Sequence, residues 1–189
     1  MVPTLQQTLA DTTRPLHQRI EENPFMRALK DGEPLESPYR WLLSKLYPFT
    51  EGAERKLVAL IPETEGFDTL KRCRADVLHD DLLQLGITPE SGDPFLFDAI
   101  DTAGKAIGLL YVLEGSRKGG QFLSSLLQKS DTHLPMRYLL GYGETTDSEW
   151  ERFRDLLERY AEKPIKDEIV SGALDAFEIL ERIFHDTHR

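Results

Sequence analysis

Residues 165–184, IKDEIVSGALDAFEILERIF, place Ile165, Ile169, Ala173, Phe177, Leu180 and Phe184 at steps of three and four. A repeat near 3.6 gathers those side chains on one stripe, which is how a helix presents its apolar face to a core. The same spacing recurs in Tyr39, Leu42, Leu43, Leu46, Ala53, Leu57 and Leu60, and again in Trp150, Phe153, Leu156, Leu157 and Tyr160. No convincing alternating run bounded by hairpin signals is visible, and neither is an internal repeat, so the chain reads as all-α. Helices are expected at roughly 4–22, 24–30, 37–60, 67–84, 94–128, 147–162 and 165–186.

The punctuation agrees. Asp31-Gly32-Glu33-Pro34 and Gly86-Ile87-Thr88-Pro89 are loop signals, and Ser37-Pro38 and Asp93-Pro94 read as cap-plus-proline helix starts. Gly141-Tyr142-Gly143 closes a loop before a cap at Asp147. Pro15 and Pro48 fall inside helical patterns, where each is expected to kink its helix.

Composition narrows the function classes. The 189 residues suit one domain, 1–189, and 40% hydrophobic with 30% charged residues at mean hydropathy −0.41 is globular composition. No apolar run reaches the ~20 residues of a membrane span, and Met1 to Ala10 has no secretion signal. A net charge of −10, with Lys71, Arg72 and Arg74 as the dense basic run, argues against nucleic acid. Lone Cys73 has no disulfide partner, so a cytoplasmic location is expected.

Two features carry chemistry. Gly104, Gly108, Gly115 and Gly119 share one side of a helix, with Gly120 beside the last. Each interior glycine costs ~1 kcal/mol relative to alanine, so something must pack too closely for larger side chains. Either a neighbouring helix does so, or the backbone around Gly115–Gly120 bends over a flat ligand. The second feature is His17 with Glu21 at i+4, where a carboxylate can hold one imidazole nitrogen and free the other for a metal. Taken alone, that histidine reads more readily as an ordinary core or surface residue than as a ligand.

Thr13-Arg14-Pro15-Leu16-His17-Gln18-Arg19-Ile20-Glu21, then Phe25-Met26-Arg27, then Tyr111-Val112-Leu113-Glu114-Gly115-Ser116-Arg117-Lys118-Gly119-Gly120-Gln121 resemble the haem oxygenase family in order and separation. Ala176-Phe177 and Phe184 extend the similarity into the last helix, and the short bacterial, phytochrome-associated members are the most similar. The resemblance implies a multi-helix bundle with haem between the first helix and a kinked glycine-rich distal helix. It implies oxidation of haem to biliverdin, carbon monoxide and ferrous iron, with O2 and electrons from an external donor such as a ferredoxin or a reductase. A bacterial phytochrome is the implied biliverdin acceptor.

Carried over residue by residue, the resemblance makes His17 the axial iron ligand and Glu21 its partner. It puts Gly115, Ser116, Gly119 and Gly120 on the distal catalytic helix and Tyr111, Met26, Phe177 and Phe184 around the cofactor. Two positions depart from the family. Ser116 stands where many members have an aspartate, and Ala10 where better-known members place a propionate-binding lysine. Arg154 is the expected substitute, with Arg14 and Arg159 behind it.

Three other readings stay open. A non-enzymatic haem carrier or sensor would use His17 and the same pocket. A di-iron oxidase of the same fold would draw on Glu178, Glu181, His185 and His188, or on Asp76, His79 and Asp80. A nucleophilic-cysteine enzyme would use Cys73 between Arg72 and Arg74.

Overall fold

The structure, a computed structural model, describes residues 3–64, 67–128 and 133–185. It is built from seven α-helices among those residues: α1 Leu5–Glu21, α2 Pro24–Asp31, α3 Glu36–Leu60, α4 Ala75–Gln84, α5 Ala103–Leu127, α6 Thr146–Glu158 and α7 Lys166–His185. None is long and apolar enough to cross a membrane.

Local chemistry sets the ends. Thr4 and Gln7 form a reciprocal capping box on α1, and Asn23 accepts from the Met26 amide while Pro24 opens α2. Gly32, at φ 69°, closes α2 in the left-handed conformation. Pro15 and Pro48 lie within continuous helices. The start of α3 comes at Glu36, so Ser37 is already helical.

Two expected helices begin later than their apolar spacing suggests. Instead of a helix from 67, the chain makes a two-stranded hairpin, β1 Glu63–Thr64 with β2 Phe67–Asp68, then a 3-10 turn over Leu70–Arg72. The buried Glu54 carboxylate decides where α4 begins, because it accepts from the Arg74 and Ala75 amides at 2.6 and 2.9 Å. Residues 94–100 form successive turns, with Asp93 accepting from the Phe95 amide. Phe97 and Ile100 reach the core from those turns, and Phe97 lies so close to Gly52 that a Cβ there would sit 2.8 Å from its Cδ2. The long central helix starts only at Ala103, where Thr102 accepts from the Lys105 amide.

Helix α5 is the spine. Its residues Ala106 to Leu113 are buried almost completely, and its main neighbour is α7, which also carries α1. One apolar cluster joins α1, α3, α5, α6 and α7; a second joins α2, α3, α4 and Leu127 with Tyr138 and Leu139.

Candidate functional site

Contacts advance together along α5 and α7. Gly104 meets Ile165 and Glu168, Gly108 meets Ile169 and Ala173, and Gly172 meets Lys105, so the two helices run in the same direction with their backbones in contact. Helix α1 follows them, since His17 meets Phe177 and Arg19 pairs with Glu181. Both α1 and α5 pack extensively on α7 but scarcely on each other. One meeting point is the Tyr111 hydroxyl with buried Thr13.

One helical turn beyond Thr13 stands His17, and one turn beyond Tyr111 stands Gly115. A Cβ on Gly115 or Gly119 would meet nothing within 4 Å, so this stretch of α5 faces open space. The cleft between the helices is floored by Phe177, 7% exposed, whose ring lies 5.7 Å from the His17 ring at 71°. His17 Nδ1 is 3.5 Å from Glu21 Oε1, and half of the imidazole remains exposed. The carboxylate lies on the Nδ1 side, so Nε2 is the ring nitrogen left to face a ligand.

The two ends of the cleft differ. Past His17 and Gly119 along the chain, partly buried Met26, Trp41, Leu123 and Phe184 pack against the second apolar cluster, with Trp41 and Phe184 edge to face at 5.2 Å. At the other end, the Trp150 ring is 6.1 Å from Tyr111, and Arg154 follows Trp150 by one turn of α6. Arg154 is paired with Glu151 on its own helix at 2.9 Å, and its side chain is 41% exposed. Arg14 is fully on the surface, paired with Asp11, and the Arg159 Nε donates to the Asp155 carbonyl at 3.4 Å. The cleft thus has bare glycine backbone on one side and an imidazole on the other, and the arginines towards the Trp150 end are each engaged on their own helices. A flat apolar ligand with a metal centre and anionic groups at one edge fits that chemistry.

No family model matches the sequence. A curated haem oxygenase of Xanthomonas campestris is 28% identical over 157 residues, covering 81% of this chain and 92% of that protein. The solved NO- and CO-bound haem oxygenase of Neisseria meningitidis superposes with TM-score 0.75 at 25% identity, over 98% of this chain and 92% of that one. In sequence and in fold the chain is similar to these haem oxygenases. Two further haem oxygenase structures share the fold: that of Synechocystis in complex with haem (TM-score 0.76, 17% identity, 98% and 93% covered) and that of Leptospira interrogans (0.70, 18%, 96% and 98%).

Against the haem oxygenase expectation the glycines divide. Gly104 and Gly108 serve helix packing, while Gly115 and Gly119 face the cleft. Gly120 does not share that face: a Cβ there would lie 2.9 Å from the Leu139 carbonyl oxygen, on the other side of α5. Ser116 is exposed and its hydroxyl donates to the Leu113 carbonyl at 2.7 Å, so towards solvent it offers lone pairs. Helix α5 is continuous in its hydrogen bonding through all five glycines.

Other readings fare differently. Among the described residues no group of three or more His, Cys, Asp or Glu is placed to hold a metal; His188 lies outside those residues. Glu181 is engaged by Arg19. Burial and the nearby Glu54 carboxylate push the Cys73 thiol up to about 11, the opposite of an activated thiolate.

Sequence reasoning passed over three features. Phe122, 62% exposed, stands three residues after Gly119 and seven after Gly115, hence on the bare face. Thr13 is a buried hydroxyl on the His17 face of α1. A buried ionic cluster also lies behind α5. The Glu114 carboxylate accepts from Arg72 (3.0 Å), from the Tyr142 hydroxyl (3.0 Å) and from Arg117, and Arg117 donates in turn to the Arg72 carbonyl. The legible signal for it was an i, i+3 pair of opposite charges interrupting the apolar run of α5. Two cavities, of about 700 and 540 Å3, lie away from His17; the smaller is lined by Arg72, Tyr142 and Glu149.

Proposed function

We propose that the chain is a haem oxygenase that binds haem in the cleft between α1 and α5 and cleaves it to biliverdin, carbon monoxide and ferrous iron. The observation that carries this reading is the pairing across one cleft of His17, over Phe177, with the bare Gly115 and Gly119 backbone. When bound, haem supplies both the iron that activates O2 and the meso carbon that is oxidised, using electrons from an external donor.

The chain's own residues supply geometry. His17 would hold the metal through Nε2, with Glu21, 3.5 Å from Nδ1, orienting the ring. Phe177 below, with Phe184 and Met26 at the far end, excludes water from the macrocycle. Gly115 and Gly119 would let the α5 backbone come close to one face of a bound haem, where larger side chains would keep it away. Ser116 accepts a hydrogen bond from water there, in place of a carboxylate. Arg154, one turn of α6 after Trp150, would receive a propionate. The described residues act as one domain, working in the cytoplasm with a ferredoxin or reductase as donor and a bacterial phytochrome as acceptor of the pigment.

Haem-loaded protein supplied with a reductant in air tests the reading. Loss of the haem bands and growth of a biliverdin spectrum are the expected result; an unchanged haem spectrum with a bound axial histidine identifies a carrier instead.

A further inference from the structure

Helix α5 is held in two different ways along its length. From Gly104 to Gly108 it is pressed against α7, and from Ala106 to Leu113 it is buried all round. From Gly115 to Gly119 its cleft side touches nothing, so its rotation there must be set from behind. At about 100° per residue, Arg117 points to the side opposite Gly115, Gly119 and Phe122, and Glu114 to the flank, about 100° round the helix from Gly115. Away from the cleft α5 meets the Leu139 backbone at Gly120 and the ionic cluster at Glu114.

The cluster ties five parts of the fold to one turn. Glu114 and Arg117 belong to α5, Arg72 to the 3-10 turn, Tyr142 to the loop before α6, Glu149 to α6 and Glu54 to α3. Arg72 bridges Glu114 and Glu149, and Arg117 lies 4.0 Å from Glu54. The Arg117 and Arg72 guanidiniums also face the Tyr142 ring, at 4.9 and 5.5 Å from its centroid. Side chains of Glu114, Arg117 and Arg72 are 1%, 5% and 9% exposed.

Burying ions brings a desolvation cost that a leucine at the same place would avoid, so a buried ion cluster is a poor device for stability. It is a good device for register. Apolar contact is non-directional and tolerates a helix rotating by some degrees, whereas a carboxylate held by two donors on other elements, Arg72 and Tyr142, does not.

We propose that Glu114 is a positioning residue: held by Arg72, Arg117 and Tyr142, it sets the rotation of α5 at Gly115–Gly119 and so determines which edge of the haem meets the bare backbone. The inference rests on the cleft being the haem site, but its first test does not. In the apo protein, hydrogen exchange of the backbone amides is followed in Tyr142→Phe, which removes one donor and leaves no buried charge unpaired, and in Glu114→Gln. Leu78→Ala, in the α4 core, serves as a control for general destabilisation. Exchange at residues 115–120 is expected to quicken about tenfold or more in Tyr142→Phe, with α7 unchanged. In Leu78→Ala, any quickening is expected outside 115–120. If Glu114→Gln does not fold, Tyr142→Phe decides alone.

The second test loads both proteins with haem. Tyr142→Phe is expected to keep wild-type haem affinity and the axial-histidine signature while shifting the haem methyl resonances and changing the biliverdin isomer ratio at least about twofold. Wild-type exchange at 115–120 in folded Tyr142→Phe overturns the proposal, as does faster exchange spread evenly over all helices. Faster local exchange with no haem binding by the wild type leaves the positioning role of Glu114 in α5 standing and overturns the functional reading.

Discussion

Gly108 and Ala173 stand backbone to backbone: a methyl group on Gly108 would lie 2.5 Å from the Ala173 amide nitrogen. Seven and eleven residues on, Gly115 and Gly119 occupy nearly the same side of α5 with no neighbour within 4 Å of an added Cβ. Identical residues on one stripe therefore answer to different constraints, one of packing and one of access.

Alanine separates the two. Gly108→Ala is expected to destabilise the apo protein by about 1–3 kcal/mol through overpacking against α7. Gly119→Ala has open space and improves helix propensity, so the apo protein should gain up to about 1 kcal/mol. Gly119→Leu, by contrast, should leave the apo fold helical while haem binding or turnover falls. Thermal melts and haem titration check all three, and full turnover in Gly119→Leu would move the ligand away from α5.

His17→Ala should cost the apo fold less than about 1 kcal/mol, since the imidazole is half exposed and its main partners are an edge contact and a surface carboxylate. Haem affinity should drop at least about tenfold, equal to about 1.4 kcal/mol, and the axial-histidine spectrum should vanish. The spectrum is the deciding measurement, and its persistence in the mutant would assign the axial position elsewhere.

The helices that define the cleft were legible because their apolar residues are periodic and their caps local: α1, α2, α3 and α7 begin and end within a residue or so of the expected positions. The early starts expected for α4 and α5 failed for a common reason. Phe97 and Ile100 are buried at helical spacing yet reach the core from turns, and Phe67 reaches it from a strand, which periodicity alone does not distinguish. The His17–Glu21 pair was legible because i, i+4 is local. That Gly120 turns to Leu139, and that Arg72 leaves the basic run for a buried carboxylate, depend on partners 19 and 42 residues away, beyond local spacing.

Stability should also respond to Asp81, whose side chain is buried, accepts from the Tyr138 amide at 2.8 Å and has its Oδ1 without a partner among the described residues. Burial raises its pKa above the ordinary value of 3.8, with Arg137 and Arg74 opposing from a distance. The folded state therefore holds that proton more tightly than the unfolded one, so this group takes stability away as pH rises from near 3.8 through the raised value. Asp81→Asn removes the titration and can keep the bond from Tyr138. Its melting temperature relative to wild type should accordingly be more favourable at pH 7 than at pH 4, and a difference independent of pH would show that Asp81 does not titrate differently on folding.

Arg154 provides the sharpest test of the Trp150 end of the cleft. Its present partner is Glu151, a neighbour on the same exposed helix face whose side chain is 61% exposed, and such a surface pair is worth about 0–1 kcal/mol. The guanidinium can therefore leave it at little cost for a propionate, where a charge-assisted bond is worth on the order of 1.5–3 kcal/mol. Ala10 offers no cation at the other expected position, so the loss of Arg154 has no substitute on α1. Arg154→Ala should weaken haem binding by about tenfold to a hundredfold while the axial-histidine spectrum stays intact, because the iron ligand is on a different helix. A haem free to turn in its plane presents other meso edges to Gly115 and Gly119, so the biliverdin isomer mixture should broaden. Haem titration and chromatographic separation of the isomers decide the matter: wild-type affinity with a wild-type isomer pattern would return Arg154 to its surface pair with Glu151 and leave propionate binding to other residues.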